Sequence, residues 1–163
     1  MVFAQSMGSK MAASPPAEIE YNLAYPGLLP DNPLHFLKAA RDRIVSILIN
    51  DPLKKAEFNL LTSDKRIYAT EFLADKGQDE LAVTTLSKSN NYFSEAIVAV
   101  KEAKTSGRDV DTVLHNMDLA SRKHLEVVAI VKKQVAKKYA PGIDQEERRL
   151  KKFQKNVSSL LPK

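Results

Sequence analysis

Cysteine is absent from this chain, which excludes disulfides, thiolate metal sites and thiol nucleophiles. Tryptophan is absent too, aromatic residues make up 7%, and five glycines are spread over 163 residues. So little glycine argues against a turn-rich β fold; packing would rest on alanine and branched aliphatics. No run approaches the roughly 18–20 apolar residues that span a bilayer. Phosphate-cradling Gly-rich loops, His-Glu-x-x-His pairs, nucleophile-elbow spacings and paired Glu-x-x-His motifs are all missing from the sequence. No enzymatic activity is expected, and no cofactor or metal is implied.

What is present is unevenly charged. Residues 132–163 hold ten Lys and Arg against three Asp and Glu, a net +7, so the other 131 residues carry −2 of the total +5. The basic character belongs to the tail, and the body gives no reason to expect nucleic acid as a partner. The opening Val2-Phe3-Ala4-Gln5 resembles the end of a secretory signal peptide, which points to export.

Proline and glycine punctuate the rest. Residues 1–20 read as a leader without periodicity. Residues 21–30, YNLAYPGLLP, are apolar, yet Pro26-Gly27 and Pro30 forbid a helix, so an extended strap is predicted. It would lie in a groove and bury Tyr21, Leu23, Tyr25, Leu28 and Leu29. Asn32-Pro33 and Asp51-Pro52 each pair an N-cap with a first-turn proline and open helices one and two. Gly77 and Gly107 close helices two and three.

The predicted stripes follow at helical spacing. Helix one carries Leu34, Leu37, Ala40 or Arg41, Ile44, Val45 and Leu48. Helix two, to about residue 76, carries Leu53, Ala56, Leu60, Ile67 and Ala74, widened by Phe58, Leu61, Tyr68 and Phe72. Helix three, residues 79–106, carries Leu81, Thr85, Ser89, Tyr92, Ala96, Ala99 and Ala103. Helix four, capped by Asp109 and reaching about residue 139, carries Val110, Val113, Met117, Ala120, His124, Val127, Val131 and Val135. After a break at Ala140-Pro141-Gly142, Asp144 would cap a last helix with Ile143, Leu150, Phe153, Val157 and Leu160 on one side. Long helices joined by short loops must run antiparallel. The fold class is therefore all-α: an up-down bundle of four main helices over residues 21–139, with the strap over 21–31. A basic amphipathic helix follows over residues 140–163.

Three histidines are the first candidates for chemistry. His115 and His124 lie nine residues apart, about 900° of rotation, and so point to opposite faces of one helix. His35 falls near a bundle end. His124 sits on the core face, where a buried imidazole needs partners. Asp64 and Tyr92 fall at matching heights on helices two and three. A central polar layer of Asp64, Tyr92 and His124 is expected, with Arg41 or Lys65 neutralising the carboxylate. Such a layer sets helix register, or alternatively binds a metal ion or small ligand.

The last helix sets Arg148, Arg149, Lys151, Lys152 and Lys155 against its apolar side. That is a surface for a protein partner or an anionic membrane, or a solvated face of a helix packed on the bundle. Nucleic acid is disfavoured because aromatic interleaving is missing.

The stretch YNLAYPGLLPDNPLHFLKAARDR over residues 21–43 resembles the opening of an uncharacterised helical domain family. Its members are exported or surface-anchored bacterial, and some archaeal, proteins. Asp51-Pro52-Leu53-Lys54-Lys55-Ala56-Glu57, Ser63-Asp64-Lys65-Arg66 and residues 120–127, ASRKHLEV, extend the likeness to residue 139. Ala24 stands where that family commonly has proline, and His35 where it often has an aromatic residue. The resemblance implies an extracytoplasmic, non-enzymatic structural or interaction module. It also implies that Asp64 and His124 belong to the recurring pattern. Self-association through the long helices is a further expectation.

Overall fold

The computed structural model describes residues 19–162; the leader, apart from its last two residues, lies outside them. Five α-helices are present and no strand occurs among the described residues. They are α1 (His35–Leu48), α2 (Pro52–Asp75), α3 (Asp79–Thr105), α4 (Asp111–Gln134) and α5 (Ala140–Leu160).

Local chemistry sets most boundaries. Asp51 Oδ1 accepts from the Leu53 and Lys54 amides at 2.9 and 3.2 Å, capping α2. At the other end Gly77 has φ +71°. Its amide bonds the Ala74 carbonyl while Gln78 N–H bonds that of Leu73, a Schellman closure. Gly107 closes α3 in the same way, through Ala103 and Lys104.

Three boundaries differ from those predicted. α4, expected to be capped by Asp109, has Val110 at its N-cap, and Asp109 accepts from the Asp111 amide at 3.0 Å in the preceding turn. Asn32 accepts from the Leu34 amide within a turn, and α1 begins three residues later than that cap. The Ala140-Pro141-Gly142 segment does not break the chain; it forms the first turn of α5, where proline lacks nothing because the N–H there has no helical acceptor. The actual break is at Val135 and Ala136, which are extended, with Ala136 N–H bonded to Asp79 at 2.9 Å.

α2 and α3 share the most extensive interface. Each brings small residues to it every seventh position: Ala56, Ser63 and Thr70 on α2; Ala82, Ser89, Ala96 and Ala103 on α3. All have zero exposure. Helices this close exchange bonds directly. Ser63 Oγ donates to the Ser89 carbonyl (3.0 Å), and Ser89 Oγ to that of Ser63 (2.8 Å).

α4 packs on α2, and α5 closes the ring against α3 and α4. Ile143, Leu150 and Val157 of α5 are fully buried, so its apolar side faces the bundle. All eight core positions predicted for helix four are buried.

α1 is the exception. It touches α2 sparsely, and its buried residues are Asp42 and Ser46. Leu34, Leu37, Ile44, Val45 and Leu48, the predicted inward stripe, all point to solvent. Two facts account for this inversion. The slot beside α3 and α4 is filled by α5, and the α2 surface beneath α1 is polar, with Asn59 accepting from Ser46 at 3.2 Å. The strap is also less buried than predicted: Tyr21, Leu23 and Leu29 are partly covered, but Tyr25 and Leu28 are exposed.

Candidate functional site

The apolar core falls into two clusters. One gathers Ala56, Leu60, Phe93 and Met117; the other Ile67, Leu86, Val128 and Leu150. Between them lies a belt of buried polar residues: Ser63 and Asp64 from α2, Ser89 and Asn90 from α3, Ser121 and His124 from α4, and Glu146 from α5.

At its centre His124 Nε2 lies 2.8 Å from Asp64 Oδ1. An ionised carboxylate only accepts, so Nε2–H is the donor. The second carboxylate oxygen takes a 2.6 Å bond from the hydroxyl of Tyr21, on the strap. Burial first, then the Asp64 charge and this bond, push the Tyr21 phenol far above its ordinary range. The Phe93 ring meets the imidazole edge-on, centroids 5.6 Å apart. His124 Nδ1 has no partner, and the side chain has no solvent-exposed surface. An imidazole so enclosed cannot meet a substrate without the helices parting, and it suits a fixed register contact.

A second polar cluster joins α3 to α5. Asn90 Nδ2 donates to Glu146 Oε2 at 2.9 Å, and Arg149 reaches the same oxygen at 2.8 Å and Asn91 at 2.8 Å. Arg149 is thereby half-buried and tied down, whereas Arg148, Lys151, Lys152 and Lys155 are exposed. With the apolar side of α5 packed inward, these four offer charge alone.

Asp64 and His124 therefore meet, and Tyr92 lies elsewhere, its ring 5.0 Å from the guanidinium of Arg66. Neither Arg41 nor Lys65 pairs with Asp64; Arg41 binds Asp42 at 2.8 Å, and the carboxylate is held by hydrogen bonds from His124 and the Tyr21 hydroxyl. Tyr21 was predicted only as apolar filling, although a buried phenol wants a partner for its hydroxyl. His35 is half-buried and His115 exposed. Among the described residues no three His, Asp or Glu side chains cluster closely enough to hold a metal ion, and no helix is long and apolar enough to cross a membrane.

A family profile described as "Domain of unknown function (DUF5667)" matches residues 27–159. The chain belongs to this family. The DUF5667 match begins within the strap, spans all of α1–α4 and runs into the last turn of α5, so it contains both Asp64 and His124. No curated protein and no solved structure matches the chain.

Proposed function

We propose that this domain is a non-enzymatic, extracytoplasmic structural module that pairs with a second copy of itself through α1. The observation that carries this reading is the outward apolar face of α1. Phe36 and Ile47 join Leu34, Leu37, Ile44, Val45 and Leu48 there, at 36–70% exposure.

Seven large apolar side chains gathered on one short helix are more than the singly scattered hydrophobics of an ordinary monomer surface, and a patch of that kind marks an interaction site. Leu37, Ala40, Ile44 and Ile47 follow a 3-4-3 spacing, which favours helix against helix, with Ala40 permitting close approach. Two of the cations on α1 are balanced within the chain, Arg41 by Asp42 at 2.8 Å and Arg43 by Glu95 at 3.1 Å, and Lys38 is turned onto the Pro26 and Leu28 carbonyls. Complete enclosure of His124 supports the non-enzymatic part, and the sequence resemblance supports the extracytoplasmic part.

Light scattering across a concentration series tests the pairing. Wild type is expected to approach twice the monomer mass, and Ile44→Asp, a change at an exposed position, to remain monomeric with unchanged helical circular dichroism. A wild type that stays monomeric throughout overturns the pairing. If that monomer instead floats with anionic vesicles and Ile44→Asp does not, α1 is a membrane contact. Recovery solely in the cytosolic fraction of its native cells would remove the extracytoplasmic part.

A further inference from the structure

Bordering the outward face of α1 lies a cleft of about 680 Å³ between α1, α2 and α3. Arg66 lines it from the middle of α2, with 8% of its surface exposed. Its Nε has no hydrogen-bond partner, and among the described residues no carboxylate lies within ion-pair distance of its guanidinium. That guanidinium lies over the face of Tyr92, 5.0 Å away.

A guanidinium cannot shed its proton, and a buried charge without a counterion is costly. The nearby acids are committed elsewhere: Glu95 to Arg43 at 3.1 Å, and Asp42 to Arg41 at 2.8 Å. Lys88 and His35 line the same cleft. His35 registers the resulting field. Burial first, then the charges of Arg66, Lys38 and Lys88, hold its imidazole below the usual range. Pro33, Phe36 and Ala39 supply an apolar wall, and the volume falls within the about 300–1,000 Å³ of small-molecule sites.

We propose that this cleft binds a small organic oxyanion, a carboxylate or phosphate ester with an apolar body, its head on Arg66 and Lys88. The planar fork of Arg66 matches either head group, and Tyr92 holds that fork from behind. The cleft adjoins the face of α1 proposed for pairing and shares Phe36 with it, while Arg66 and Lys88 lie outside that face.

Titration with phenyl phosphate and with benzoate at constant ionic strength tests the proposal, followed by calorimetry and thermal unfolding. Inorganic phosphate and benzyl alcohol serve as the head-only and body-only comparisons. Saturable binding of either aromatic anion is expected, tighter than inorganic phosphate and absent for benzyl alcohol. Arg66→Met should weaken it about tenfold or more, the loss of one charge-assisted contact. It should also abolish the anion-dependent rise in Tm. Lys88→Ala, at an exposed position, should weaken binding several-fold and decides the matter if Arg66→Met does not fold. No saturable binding, equal binding of benzyl alcohol, or affinity untouched by Lys88→Ala overturns the site.

Discussion

The Tyr21 hydroxyl and the Asp64 carboxylate, 43 residues apart in the chain, meet at 2.6 Å and fasten the strap to the polar centre of the bundle. Alkaline pH tests this bond. In the folded protein the phenol is held far above its ordinary range, whereas in the unfolded chain it ionises near about pH 10. The folded state therefore retains a proton that the unfolded state gives up. Its stabilising contribution is complete below about pH 10 and falls as pH rises beyond it. The stability difference between wild type and Tyr21→Phe, from urea unfolding, should be constant up to that point and shrink above it. A difference that grows above it would contradict the geometry.

Asp64 and His124 should be strongly coupled. Asp64→Ala strands a buried imidazole and is expected to cost roughly 1–3 kcal/mol. Pairing it with His124→Leu removes the stranded group, so the double variant should lose at least about 1 kcal/mol less than the two singles combined. Additive losses in a denaturant-based double-mutant cycle would show that the two side chains do not depend on each other.

Ser89 tests the close approach of α2 and α3. Ser89→Ala keeps the spacing and removes bonds to Ser63, for about 1 kcal/mol. Ser89→Leu forces the helices apart and should cost more, by about 1–3 kcal/mol of overpacking. Equal effects on Tm would mean that the contact has room to spare.

Gly77 isolates backbone conformation from packing. Its φ is +71°, and an added Cβ meets nothing within 4 Å. Gly77→Ala should therefore cost about 1 kcal/mol from the left-handed backbone alone. A variant as stable as wild type would show that the turn relaxes to another form.

How much of this was legible before the structure depends on how many sides of a helix are covered. α4 buries every position of its predicted stripe from Val110 to Val135, but Leu114 and Val128, which lie off that stripe, are fully buried as well. α3 is covered on two sides; its stripe through Ser89, Ala96 and Ala103 is readable, but Leu86, Asn90, Phe93 and Ile97 are buried as well, on a helix that packs against α5 and sets Phe93 on His124. Periodicity reports that a face is apolar and not what covers it, which is why α1 was placed the wrong way round. In the polar belt, His124 and Asp64 stood out because ionisable residues on core faces are conspicuous. Tyr21 and Arg66 did not. One was read for its ring, and the isolation of the other depends on where Glu95 and Asp42 turn.

Among the described residues the chain's first two attachments to the bundle, the Ile19 amide on Glu126 and the Tyr21 hydroxyl on Asp64, lie well along the helices, while Asp31 at the far end of the strap pairs with Lys76 at the end of α2. A tug transmitted from the upstream chain would reach these two attachments before it reached any helix. Traction there would load α2 and α4 sideways at mid-length instead of peeling them from a tip.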